Sequence, residues 1–389
     1  MRHQSPGILS GIRSILVLAP LTLVAASCSP AASTTRVEAF RTGAATTRAS
    51  ADLRRGMNFG DALDAPNEGE WGVALSASDF EAVKAAGFDH VRVPMRINAH
   101  TGGAPGYEIQ RRFLARIDWV IDQALSRDLA VILDLHHFVE LMKAPAAYDD
   151  KLVAIWRQLA RRYVGMPPAV VFEILNEPTD NLTAAVWNPI LQRTVAAIRE
   201  VDPERTLILE GAHWASAADL RDTLWIPEGD RHIVGSFHMY APMYFTHQGF
   251  GWMPPHFSTR GVTFPGPPAR PVKPTSDAMA FGESREFFAR YNAEPAATNP
   301  GGPAAILEVM EMARVFKERT GLPVYLGEFG AGINADPASR AAWTRLARTE
   351  AEKRGFGWGY WDFCHNFAAY SLGLFSGTWI PEIRAALLD

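Results

Sequence analysis

Val170-Val171-Phe172-Glu173-Ile174-Leu175-Asn176-Glu177-Pro178 is an apolar run that ends in an amide and a carboxylate, after which Pro178 stops it. A short run of this composition reads as a buried strand. Working outward, runs of the same character centre on Arg55 to Phe59, Phe88 to Val93, Ala130 to Leu135, Thr206 to Glu210, His232 to His238, Pro323 to Gly327 and Phe356 to Trp361. Amphipathic helical patterns separate them. From Ile109 to Arg127, for example, Phe113, Ile117, Val120, Ile121, Ala124 and Leu125 fall on one face. Ser78-Asp79-Phe80-Glu81 reads as a capping box that opens a helix ended by Gly87. Eight strands alternating with helices predict an α/β chain closed into a (β/α)8 TIM barrel.

That fold gives Glu177 a setting. Residues at the C-terminal ends of barrel strands line the mouth where active sites are built, and Glu177 ends the fourth strand. Pro323-Val324-Tyr325-Leu326-Gly327-Glu328-Phe329-Gly330 repeats the pattern on the seventh. A lone carboxylate after a strand is most often a solvated loop residue, but two aimed at one mouth can share a task. Cleavage of a glycosidic bond uses such a pair, one protonated to assist the leaving oxygen and one ionised to attack the anomeric carbon. Retention of configuration requires carboxyl groups about 5 to 5.5 Å apart, and inversion roughly 6.5 to 9.5 Å.

The chain has 389 residues, 48% of them hydrophobic, enough for one large core. Its formal net charge of −4 and pI near 6.3 offer no basic face to nucleic acid. The domain is expected over residues 52–389. The rhythm breaks between the sixth and seventh strands, where a Pro- and Gly-rich stretch predicts a long insertion at about 245–303, on the loop side that shapes a cleft. Arg2 and Arg13 precede an apolar stretch, Ser14 to Ser27, too short to span a membrane and suited to a secretory signal over residues 1–27. Ala25-Ala26-Ser27-Cys28 is similar to a bacterial lipobox, with Ala25 where Leu is usual. The expectations are export with a lipid anchor on Cys28, or plain secretion, and an Ala/Ser/Thr-rich linker over 28–51.

At Asn176-Glu177-Pro178 and Gly327-Glu328-Phe329-Gly330 the chain resembles glycoside hydrolase family 5, in the clan whose acid/base follows an Asn on strand four and whose nucleophile ends strand seven. The resemblance extends from Arg55-Gly56-Met57-Asn58 to Trp358-Gly359-Tyr360-Trp361. It also takes in Arg92 of Val91-Arg92-Val93-Pro94, His136 and His137 after Leu133-Asp134-Leu135, and His238 and Tyr240 of Ser236-Phe237-His238-Met239-Tyr240. It implies Glu177 as acid/base, Glu328 as nucleophile, Arg92 as the cation that orients Glu328, and Asn176 as donor to the sugar 2-hydroxyl. His238 and Tyr240, on one side of an alternating strand, would reach Glu177 and Glu328 respectively. Trp361 would be the stacking platform for a pyranose ring. Trp214 and Trp252 are further aromatic candidates, while Trp71, Trp119, Trp156 and Trp343 default to the core.

Two local stretches, Tyr240-Ala241-Pro242-Met243-Tyr244-Phe245-Thr246-His247-Gln248-Gly249 and Ala65-Pro66-Asn67-Glu68-Gly69, resemble loops of bacterial β-1,4-glucanases in that family. Asp61 and Asp64 stand where such relatives often carry Asn and Glu. The resemblance thus implies a monomeric endo-β-1,4-glucanase that needs no cofactor and acts on β-linked polysaccharide or oligosaccharide by double displacement. The same machinery would serve β-mannan, xyloglucan or mixed-linkage β-glucan. Readings of another kind are a carbohydrate-binding protein without turnover and a metal-dependent hydrolase built on His136 and His137. Against a metal, no further ligand stands at a recognisable spacing, and adjacent strand residues face opposite sides.

Overall fold

A computed structural model describes residues 53–373 and 377–389. The signal segment 1–27, the linker 28–51 and Cys28 lie outside the described residues. Eight parallel strands close a barrel in sequence order: β1 (Arg55–Asn58), β2 (His90–Met95), β3 (Ala130–Leu135), β4 (Val170–Glu173), β5 (Leu207–Glu210), β6 (Ile233–Met239), β7 (Val324–Phe329) and β8 (Gly357–Tyr360). All eight coincide with the runs read from the sequence. The main helix after each strand is, in order, α1 (Ala77–Ala86), α2 (Arg111–Leu125), α3 (Pro145–Tyr163), α4 (Ala184–Arg199), α5 (Ala217–Asp222), α6 (Ala304–Thr320), α7 (Pro337–Lys353) and α8 (Pro381–Leu388).

One helix start differs from expectation. The capping box of α1 is built by Ser76 and Asp79 rather than Ser78 and Glu81. Two serines compete in Ser76-Ala77-Ser78, and the apolar flanks decide between them. With Ser76 as cap, the residue before it, Leu75, and Phe80 in the first turn are both buried, the positions that a hydrophobic staple uses.

Inside the barrel the alternation of each strand sorts side chains into layers. Toward the strand N-termini, Leu53, Ala130, Ile132, Ala169, Val171, Ile208, Val234 and Tyr325 form one apolar cluster; burying each large side chain there is worth about 1.5–3 kcal/mol. Two residues further along, the same inward phase holds Asp134, Glu173, Glu210 and Ser236, all buried. The polar site therefore rests on an apolar plug.

Strand seven departs from simple alternation. The β6–β7 ladder pairs Phe237 with Leu326 and then His238 with Glu328, so Gly327 is an extra residue, a bulge of the kind that re-aims side chains near active sites. Glycine is needed there, because a Cβ would come within 2.8 Å of His238 Nε2 and 2.9 Å of Ser236 Oγ.

The stretch expected as an insertion holds a turn at Met243–Thr246 and helices at Ser276–Met279 and Gly282–Ala293. Its rings pack closely, with Tyr244 stacked 4.2 Å from Phe287. It is tied to the loop after β7 by Gly332 N–H to Thr246 O at 2.9 Å and Asn334 Nδ2 to Gln248 O at 3.0 Å. This ordered wall stands at the C-terminal face of the barrel.

Candidate active site

Arg92 projects from β2 into the barrel, wholly buried, and its five donors are divided among three strand ends. Nη1 donates to Glu328 Oε1 at 2.8 Å and to Asn58 Oδ1 at 2.9 Å. Nε and Nη2 grip Glu173 bidentately, each at 2.8 Å. Nη2 also donates to Asn176 Oδ1 at 2.7 Å and lies 3.0 Å from Asp134 Oδ2. One guanidinium thus bridges Asp134, Glu173 and Glu328, and burial pushes Asp134 and Glu173 above the usual carboxylate range despite it. Bidentate geometry fixes its plane, and that plane in turn fixes Glu328. Because Asn176 turns its oxygen to Arg92, its amide N–H pair is the half left for a ligand.

The second oxygen of Glu328 accepts from Tyr240 Oη at 2.7 Å. Both oxygens of Glu328 therefore meet donors, which fixes the orientation of the carboxyl group. Burial and the charges of Glu328 and Glu177 push the Tyr240 hydroxyl well above its ordinary pKa, so it remains a donor.

Glu177 sits differently. Pro178 follows it and its φ of 47° lies in the left-handed region, a conformation that costs about 1–3 kcal/mol for a non-glycine residue and clusters at functional sites. Its backbone N–H donates to Glu210 Oε2 at 2.7 Å, and its Oε1 meets His238 Nδ1 at 2.8 Å. Burial raises its pKa; the contact with His238 pulls it down, and the charges of Glu328 and Glu210 add to the rise, which prevails. Burial alone would discharge His238, but Glu210, 2.9 Å from its Nε2, and Glu328 push its pKa well up. Glu210 in turn is lowered to about 2: burial opposes this, but His238, Arg92 and the Glu177 N–H outweigh it. Glu210 and His238 form an ion pair beside Glu177.

One carboxylate oxygen from each of Glu177 and Glu328, with a ring nitrogen of His238, lie within 4.8 Å of one another. This is the close spacing that retention needs, well short of the roughly 6.5 Å at which a water fits between the pair.

A model of the family described as cellulase, glycosyl hydrolase family 5, matches residues 55–367. The chain belongs to this family. Endoglucanase H of Acetivibrio thermocellus is 29% identical over 307 residues, which cover 79% of this chain and 29% of that longer protein. Among solved structures, Thermotoga maritima Cel5A in complex with cellobiose is 35% identical with a TM-score of 0.72, covering 86% of this chain and 97% of that one. The cellulose synthase subunit Z of Clostridioides difficile is 33% identical with a TM-score of 0.73, covering 87% of this chain and all (100%) of the other.

Around the carboxylate pair, the glycosyl hydrolase family 5 chain arranges the remaining expected residues in two arcs. On one side Trp361 stacks nearly parallel, at 4°, on the ring of His136, 5.5 Å away. His136 Nδ1 is held by Asp134 Oδ2 at 2.5 Å. His137 lies 3.8 Å from Asp64, and Asp61 reaches His365 at 3.1 Å. On the other side, Trp214 and Trp252 are exposed, 61% and 57%, and neither touches the carboxylates. Trp214 N–H donates to Pro178 O at 3.3 Å, which sets this residue near Glu177. Trp252 packs on His247, whose ring touches Tyr240.

Three features were not expected. Trp71, assigned to the core, is half-buried, packs edge-on to His137 at 5.7 Å and lies under Arg96; Trp119 is also only half-buried, whereas Trp156 and Trp343 are fully buried. His136 and His137 follow the end of β3, so strand alternation no longer separates them, and their rings lie 4.6 Å apart. The supports Asn58, Asp134, Glu173 and Glu210 had a signal in the sequence, a polar or acidic residue at the apolar strand end.

Proposed function

We propose that this family 5 chain is a retaining endo-β-1,4-glucanase in which Glu177 is the acid/base and Glu328 the nucleophile. The observation that carries this is the close carboxylate pair in unequal surroundings, one with its pKa raised by burial and one gripped by Arg92 and Tyr240. In the first step Glu328 attacks the anomeric carbon while the Glu177 proton passes to the leaving oxygen; the bond to the aglycone breaks and a glycosyl ester forms. In the second, Glu177 takes a proton from water, which displaces Glu328. Esterification removes the Glu328 charge that helped to raise the Glu177 pKa, so the same group becomes a better-ionised base when its role reverses. Asn176 would donate to the 2-hydroxyl, and Trp361 would cover an apolar sugar face. His136, His137, Asp61 and Asp64 line the same side and would hold hydroxyls. The relatives named endoglucanase and the cellobiose complex of Cel5A support a β-1,4-glucan as substrate.

Proton NMR of a cello-oligosaccharide digest tests the mechanism: the first-formed reducing end is expected to be the β-anomer, and initial release of α would overturn it. The pH profile carries a second expectation. Glu177 must be protonated in the free enzyme, and burial raises its pKa above the ordinary carboxyl value. Activity is therefore held below that raised value and lost as pH rises through it. The alkaline limb of kcat/KM should move in Glu177→Asp and leave a flatter profile in Glu177→Gln; a limb unchanged in both would assign it to another group.

A further inference from the structure

Asp64, His136 and His137 each present one donor atom, and the three lie within 4.8 Å of one another. His136 offers Nε2, because Nδ1 is engaged by Asp134 at 2.5 Å. His137 turns Nε2 toward Asp64, 3.8 Å from its Oδ2. Asp64 is 1% exposed, and its Oδ1 has no hydrogen-bond partner among the described residues. A buried carboxylate oxygen left in this way costs about 1–3 kcal/mol or more and calls for a ligand.

The donor set has the features of a transition-metal site. Two imidazoles and one carboxylate with donor atoms gathered within 4.8 Å suit first-row divalent ions. A carboxylate behind the histidine, as Asp134 stands behind His136, fixes the ring and raises its basicity as a ligand. Arg96, which donates to the Asp64 carbonyl at 2.9 Å, opposes a cation here; the Asp61 carboxylate beside Asp64 offsets it.

Among the described residues three other groupings gather comparable donors but do not offer them. Glu177–His238–Glu328 and Glu173–Glu210–His238 both use His238, whose two nitrogens already face Glu177 and Glu210. In Asp61–Asp362–His365 the imidazole is paired with Asp61 and held toward its protonated form by that contact.

We propose that Asp64, His136 and His137 bind a zinc-class divalent cation within the sugar cleft, and that the bound ion excludes the glycan and inhibits the enzyme. The exclusion rests on the reading of this arc as sugar-binding; the metal site itself does not. Co2+ is the probe, because its visible d–d absorption reports coordination without any activity measurement. Titrating metal-free enzyme with Co2+ is expected to give a saturable band that Zn2+ bleaches. Asp64→Asn, which keeps the shape of the side chain, should weaken Co2+ binding at least about tenfold, while His365→Ala should leave it unchanged. In steady-state assays with an aryl cellobioside, Zn2+ should raise KM and leave kcat alone, and its inhibition constant should rise with Asp64→Asn. No saturable band, a band unaffected by Asp64→Asn, or loss of the band in His365→Ala would overturn the site. A normal Co2+ band with Zn2+ lowering kcat at constant KM would overturn the exclusion alone. A normal band in a protein that hydrolyses no β-glucan would leave the metal site standing and reject the glucanase reading.

Discussion

Glu328→Gln is expected to lower kcat on a soluble β-1,4-glucan by about 10⁴-fold or more, the scale on which loss of a nucleophile acts in enzymes with covalent intermediates. Glutamine keeps the volume and can still accept from Arg92 Nη1 through its oxygen. It cannot carry the charge that attacks carbon, and its NH2 faces one of the two donors that now hold Glu328, Arg92 or Tyr240. Glu177→Gln should behave differently. Acid assistance contributes about 10²–10⁴-fold, and a substrate with an activated phenol leaving group does not need it. With such a substrate, Glu177→Gln should release a rapid burst of phenol and then stall, because the glycosyl ester lacks its base. Stopped-flow absorbance separates the two variants. A burst from Glu328→Gln, or near-normal turnover in either variant, would reverse or reject the assignment.

The second large effect concerns stability. Arg92→Met should destabilise the fold by about 3–5 kcal/mol, the cost of leaving buried charge without its partner. The residue is fully buried and faces Asp134, Glu173 and Glu328, so its removal strands a cluster rather than one ion. Urea unfolding should give a lower midpoint at an unchanged slope. Activity should fall with it, since Glu328 loses its orienting donor. A variant of full stability and reduced activity would make Arg92 a purely catalytic support.

The sequence was most legible where chemistry coincides with pattern. The runs ending in Asn176-Glu177 and Gly327-Glu328 are both strands and both reach one mouth, because strand periodicity is local and survives without knowledge of contacts. Glu173, Asp134 and Glu210 were visible as acids at the ends of apolar strands, but which cation they share depends on three-dimensional convergence. The misplacement of the α1 cap had a local cause, two serines separated by one alanine. The separation of His136 from His137 failed for a different reason: alternation holds only while the chain remains a strand, and β3 ends at Leu135. Trp71 was assigned to the core because nothing near it in sequence hints at His137 and Arg96, both brought to it by other loops.

The unpaired Gly327 matters to anyone who would transplant this chemistry. A designer copying the two glutamates onto another eight-stranded scaffold by matching strand ends would aim the seventh-strand carboxylate at the helical shell, since an ordinary strand has no spare residue with which to turn it. The portable unit is the carboxylate together with the glycine before it and the vacant volume that glycine leaves for the neighbouring imidazole.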